Sequence, residues 1–137
     1  SYAVQRDASV YLLSGAIDTL KRFRRENLRL ALVTNGTSAL QRRKIERFRL
    51  SPYFDSILVE EEFGVGKPDE RVFRHTLERL RVAPSEALMV GDDLTLDIGG
   101  AQAVGISGVW VDWRKTGLPA SATIRPDKIV STISELM

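Results

Sequence analysis

Short apolar runs alternate with helix-length amphipathic stretches along this chain, and that alternation restricts the fold more than any other feature. Residues 28–34 (LRLALVT) read as a buried strand, and residues 38–49 as a helix. Residues 56–59 (SILV) read as a short strand. Residues 69–81 form a helical pattern, with Val72, Phe73, Thr76, Leu77 and Leu80 along one face. The alternation continues through a strand at 87–90 (ALMV), a helix at 96–104 and a strand at 108–111 (GVWV). A short strand or turn leading to a terminal helix is expected over 127–137. Connections this short between strands and helices indicate parallel βαβ units wound right-handedly. Runs such as ALMV, without strict apolar–polar alternation, suit strands covered on both faces. The expected fold class is therefore α/β, layered around a parallel sheet.

Bulk properties narrow the function classes. At 137 residues and 43% apolar content the chain suits one globular domain, and no composition break marks a boundary. No apolar run approaches the roughly 18 to 20 residues that span a bilayer. The opening residues lack the basic-then-apolar layout of a secretory signal. The absence of cysteine excludes disulfides and thiolate metal sites, and fits a cytoplasmic location. Net charge is +2 with a pI near 9.1. The basic clusters at 21–25 and 41–44 fall in helical segments that also carry Ile17, Leu20, Ile45 and Phe48. They are expected to be solvated outer faces, with no nucleic acid and no membrane among the partners.

In parallel α/β sheets, ligands bind outside the carboxyl ends of the strands. Thr34-Asn35-Gly36 ends the first strand, EEFGVGKPDE (61–70) follows the second, and GDDLTLD (91–97) ends the third. Each cluster has an ordinary structural explanation. Asn and Gly tolerate positive φ in a plain turn. Pro68, Asp69 and Glu70 suit a helix start, and Asp92, Asp93 and Asp97 could cap and decorate another. Adjacent carboxylates after an apolar strand are nevertheless costly unless a cation or a lysine answers them. Oxygen-only ligands suit Mg²⁺ held largely by water and substrate phosphate. A lysine and helix-start amides suit the phosphate itself. Taken jointly, the three clusters favour a phosphoryl site. Competing motifs fail. GVGK at 64–67 lacks the earlier glycine of a P-loop and has Pro68 where Ser or Thr would hold the metal. DLTLD at 93–97 is not an EF-hand, because Val104 stands where the bidentate Glu belongs. His75 reads as structural. Trp110 reads as a strand residue and Trp113 as its partly exposed neighbour.

LALVTNGTS (30–38), GVGKPDERVF (64–73) and MVGDDLTLDIGGAQAVGISGVWVDW (89–113) resemble motifs II, III and IV of the haloacid dehalogenase-like hydrolase superfamily, in that order. LLSGAIDTLKRF (12–23) is similar to the segment by which such proteins return from a helical cap to the core. The resemblance implies a Rossmann-like core and, in the phosphatase branch, Mg²⁺-dependent hydrolysis of phosphate monoesters through an aspartyl-phosphate. It implies that Thr34, Asn35 and Gly36 bind the substrate phosphoryl group, Thr34 by its hydroxyl and Asn35 by its backbone amide. Lys67 would neutralise charge on the nucleophile and the transferring group. Asp92 would be a Mg²⁺ ligand, and Asp97 would support the metal's waters or Lys67. Asp93 fills a position that varies in the family. The implied partner is a small phosphorylated metabolite.

The family's motif I, an apolar strand ending Asp-x-Asp, is not found. Asp7 has Ser9 where the second aspartate belongs, and the residues before it make a poor core strand. The chain is therefore read as a single incomplete core domain, with residues 1–13 returning from an absent cap. It is expected to be inactive alone; the alternative is a non-catalytic binding or structural module derived from the same fold. Without the central strand, the strands ending at Thr34 and Val90 are expected to close and pair directly. That closure gives the order Ile57, Ala31, Met89, Val109 by representative residue. A partner segment, self-association or residues 10–13 filling the slot is the alternative.

Overall fold

The computed structural model describes residues 10–136, with side chains from residue 17; Asp7, Ser9 and the first part of the expected cap-return segment lie outside them. The elements run α1 (Val10–Arg25), β1 (Ala31–Thr34), α2 (Ser38–Arg47), β2 (Ser56–Val59), α3 (Glu60–Phe63) and α4 (Glu70–Leu80). They continue with β3 (Leu88–Gly91), a π-helical turn (Leu94–Gly99) passing into α5 (Gly100–Gln102), β4 (Ser107–Val111), β5 (Lys128–Val130) and a 3₁₀ turn (Ile133–Leu136). Among the described residues no helix is long and apolar enough to cross a membrane.

Among the described residues every strand pair is parallel. β1 pairs with β2 from Ala31↔Ser56 to Thr34↔Val59. β3 pairs with β4 from Leu88↔Ser107 to Gly91↔Trp110, and β4 with β5 from Val109↔Lys128 to Val111↔Val130. Side chains on β1 and β2 alternate between two helical layers, as the period of a strand requires. Leu32 and Val59 pack with Ile45 and Leu50, against Ile17 and Phe48. Val33 and Leu58 face the other way, onto Val72 of α4, with Phe63 and Val65 beside them. The second sheet carries Val109, Val111 and Val130 on one face. Below β3, Phe73 and Leu77 of α4 meet Ala101, Val104 and Ile106, with Met89 packed against them. This is an α/β, Rossmann-like core.

The expected closure does not occur. The strands form two sheets, β1–β2 and β3–β4–β5, and no ladder joins β1 to β3 among the described residues. The alternative filling by residues 10–13 also fails, because they lie in α1. Two features link the half-sheets. α4 packs on β1 and β2 and also on α5, so one helix spans both halves. Between the strand ends lies a buried ion pair, the Lys67 ammonium on Asp97, and the same ammonium donates to the carbonyl of Val33 in β1. Direct pairing would bring β1 and β3 to about 4.8 Å, where this pair now sits. Hydrogen-bond accounting on the two strands alone omits it.

Candidate functional site

The site grows from the carboxyl ends of β1 and β3 and the loop between α3 and α4. At the end of β1, Thr34 is buried and its hydroxyl donates to Gln41 Oε1 of α2 at 3.0 Å. The chain then turns at Gly36, whose φ of +124° is a conformation that side-chain-bearing residues rarely adopt. Its N–H donates to Glu60 Oε1 at 2.8 Å. Thr37 caps α2 by accepting from the amide of Leu40. The side chains of α3 finish the latch on this turn. Glu61 accepts from the Ser38 amide, and Glu62 from the Ser38 hydroxyl and, at both oxygens, from Arg42. The Arg42 guanidinium, followed by the Ser38 hydroxyl, pulls the Glu62 carboxyl down to about 2.

Asn35 has a role that its backbone position did not reveal. Its side-chain Oδ1 accepts from the Lys67 amide at 2.8 Å, and its Nδ2 donates to the Lys67 carbonyl at 3.0 Å. One amide group thus grips both backbone groups of the lysine and ties the end of β1 to the loop before α4. With its backbone fixed, the Lys67 side chain reaches inward. Its ammonium donates to Asp97 Oδ1 at 2.7 Å and to the Val33 carbonyl at 3.2 Å. The two side chains of this pair are 2% and 0% exposed. Burial of this depth makes the pair far less screened than the surface pairs elsewhere on the molecule.

Asp97 is oriented from below by the π-helical turn. Asp93 caps that turn by accepting from the Leu96 amide, and the Asp93 amide in turn donates to Asp97 Oδ2 at 3.1 Å. A Cβ at Gly91 would collide with the Asp97 carboxylate, so the glycine lets that carboxylate fold back onto the end of β3. Both oxygens of Asp97 are therefore engaged, one by Lys67 and one by the Asp93 amide. Asp93 itself is a helix cap.

Asp92 is the remaining carboxylate at this edge. Both tryptophans of the chain converge on it: Trp110 of β4 donates its indole N–H to the Asp92 carbonyl at 2.9 Å. Trp113, just beyond β4, donates to Asp92 Oδ2 at 3.1 Å. His75, expected to be structural, lies on α4 with its ring 4.8 Å from that of Phe63. The structure thus joins Asn35, Lys67 and Asp97 by direct hydrogen bonds, with Thr34 next in the chain to the first. Asp92 stands at the end of β3, one residue before the amide that holds Asp97. Gly36, expected among the residues at the phosphoryl group, turns its amide onto Glu60.

A family model for haloacid dehalogenase-like hydrolases matches residues 2–105. The chain belongs to the haloacid dehalogenase-like hydrolases. It is 43% identical over 118 residues to a phosphoserine phosphatase of Thermus thermophilus, covering 85% of this chain and 46% of that protein. To the pyrimidine 5′-nucleotidase YjjG of Escherichia coli it is 37% identical, over 90% of this chain and 54% of that protein. Among solved structures, the hydrolase YfnB of Bacillus subtilis, bound to magnesium, superposes with a TM-score of 0.81 at 30% identity. That match covers 90% of this chain and 53% of YfnB. A phosphatase of this family from Thermococcus onnurineus gives 0.79 at 36% identity, over 88% of this chain and 54% of its own. The chain spans about half the length of these relatives.

Proposed function

We propose that this chain is the phosphate-handling core of a Mg²⁺-dependent phosphatase acting on a small phosphorylated metabolite. The observation that carries the reading is the buried Lys67, its backbone gripped by Asn35 and its ammonium held by Asp97 at the strand ends beside Thr34. A cation fixed in a dry site, with its geometry set before substrate arrives, stabilises charge on a transferring phosphoryl group without reorganising. Thr34 would turn its hydroxyl from Gln41 to a phosphoryl oxygen, and the Asn35 backbone amide would add a donor. Gly36 would shape this turn while its own amide stays on Glu60.

The donor set fits Mg²⁺ in one specific way. Among the described residues no three carboxylate or histidine side chains gather around one point, so a cage made wholly of protein is not on offer. Asp92 supplies a hard oxygen at the end of β3, which suits an ion carried mainly by water and substrate phosphate. We assign Asp92 as the direct ligand. Asp97, with both oxygens engaged, would serve the metal by holding Lys67. When bound, the ion would neutralise phosphoryl charge. Hydrolysis through an aspartyl-phosphate needs a further aspartate as nucleophile and another as acid/base, and the sequence contains no Asp-x-Asp strand. The chain alone is therefore expected to bind phosphate and Mg²⁺ weakly and to hydrolyse phosphate monoesters negligibly.

Calorimetric titration with inorganic phosphate in the presence of Mg²⁺, alongside an assay with a generic phosphate ester, tests both halves. Binding that weakens in Lys67→Met, without turnover, supports the reading. Robust turnover that is lost in Asp7→Asn would place the nucleophile within this chain and overturn the expectation of inactivity.

A further inference from the structure

We infer that Trp113 is a positioning residue that fixes the Asp92 carboxylate for a divalent cation. The inference rests on the assignment of Asp92 as the cation ligand and adds what sets that ligand's orientation. The indole N–H of Trp113 meets Asp92 Oδ2 at 3.1 Å. A backbone carbonyl would satisfy an indole N–H equally well, as the Asp92 carbonyl does for Trp110. Trp113 instead meets a charged oxygen, giving a charge-assisted bond that fixes the plane of the carboxylate.

The surroundings hold the indole in place. Trp113 packs against the cluster of Val109, Val111 and Val130. On its ring lies the guanidinium of Arg114, 4.6 Å from the centroid. The loop is pinned by Asp112, a buried carboxylate that accepts from the amides of Thr116 and Gly117. The indole is thus fixed by packing on β4, by its neighbour's cation and by a loop with its own carboxylate anchor. Partners beyond the ligand shell commonly determine metal affinity by orienting the ligand. Here the orienting group comes from the loop after β4, whereas the ligand comes from the loop after β3. Formation of that loop and competence of the cation site are thereby coupled.

The test uses Mn²⁺ as the probe, followed by the electron paramagnetic resonance signal of the free ion, with the whole chain and with Trp113→Phe. Phenylalanine keeps a ring on the valine cluster and removes the N–H. The variant is expected to bind Mn²⁺ about 10-fold more weakly, with a thermal unfolding curve close to that of the parent chain. Binding within about twofold of the parent would overturn the inference, since second-sphere ligand partners typically matter by more than that. Tighter binding would overturn it as well, showing that the indole competes with the ion. Failure of the parent chain to bind Mn²⁺ would overturn the assignment of Asp92 and this inference together. A second readout needs no variant. Mn²⁺ bound at Asp92 is expected to quench the chain's tryptophan emission with the same midpoint as the resonance titration. Binding that leaves the emission unchanged places the ion elsewhere and overturns the inference.

Discussion

Breaking the Lys67–Asp97 pair from one side should damage the fold more than removing it from both. The two side chains are 2% and 0% exposed and their charged atoms are 2.7 Å apart. Asp97→Ala takes the carboxylate away from a buried ammonium that donates to the Val33 carbonyl. Lys67→Met leaves the Asp97 carboxylate with the Asp93 amide. Each single change should cost about 3 to 5 kcal/mol, the usual result of stranding a buried charge. That is a large part of the roughly 5 to 15 kcal/mol that stabilises a domain. In Lys67→Met with Asp97→Ala no stranded charge remains, although a void and an unanswered Asp93 amide do. The double variant should therefore lose less than the sum of the singles by about 2 kcal/mol or more, within the coupling range of directly contacting groups. Urea unfolding followed by far-ultraviolet dichroism and by tryptophan emission supplies the four stabilities, provided both probes report one transition. Additivity of the singles to within about 0.5 kcal/mol would refute the reasoning, because it would mean the two charges do not sense each other.

Two further outcomes follow from the turn after β1. Asn35→Ala removes both bonds to the Lys67 backbone and should cost about 1 to 3 kcal/mol, as for buried groups left unanswered, while Asn35→Asp should fall between, since it keeps the acceptor for the Lys67 amide and loses the donor to its carbonyl; urea unfolding of the two variants checks the order. The Arg42–Glu62 latch should add only about 0.2 to 1 kcal/mol, because both side chains are more than a third exposed. Its sign with pH is fixed by the Glu62 carboxyl, which Arg42, followed by the Ser38 hydroxyl, lowers from 4.5 to about 2. A carboxyl depressed in the folded state stabilises fully above its ordinary value and loses that contribution as pH falls toward the folded one. The stability difference between the parent chain and Arg42→Ala should therefore be constant above pH about 4.5 and shrink on titration toward about 2.

The parts of the fold most legible in the sequence are those whose ends are set by local chemistry. β2 has the same bounds in the reading and in the structure, where SILV lies between the 3₁₀ turn at Ser51–Tyr53 and a run of glutamates. α4 begins and ends within a residue of the reading, since Asp69 caps it and Arg81 closes it in the left-handed conformation. Where long-range bonds intervene, the reading drifts. β1 starts at Ala31, three residues later than expected. The Arg29 guanidinium is drawn to the carbonyls of Leu80 and Arg81, and the Leu30 amide to Asp55. The helix expected from Leu96 starts at Leu94, as a π-turn, because Asp93 caps it by accepting from the Leu96 amide. α3 was missed, being a single turn of glutamates whose role is to reach back to Gly36 and Ser38.

The candidate site divides along the same line. That Thr34, Lys67 and the acidic cluster belong to one edge could be read from their places after successive strands. The side-chain grip of Asn35 on Lys67 and the indole of Trp113 on Asp92 join residues 32 and 21 positions apart. No local pattern announces either, although Trp113 stands two residues beyond a strand end at the ligand-binding edge, a position that could have raised it above an exposed neighbour. The closure of β1 onto β3 failed for a related reason. The ladder groups of two strands can be counted from sequence, whereas the ion pair at their ends comes from a loop and a π-helical turn that only the fold brings together.

The claim that these strand ends form a phosphate site is tested most directly by diffraction from crystals of the chain soaked in tungstate, an anomalously scattering phosphate mimic, with Mg²⁺ present. The account predicts a tungsten peak at the carboxyl ends of β1 and β3, within hydrogen-bond reach of the Thr34 hydroxyl and the Lys67 ammonium. A peak at the opposite edge of the strands, or crystals whose strand ends stay free of tungsten at saturating tungstate, would contradict it.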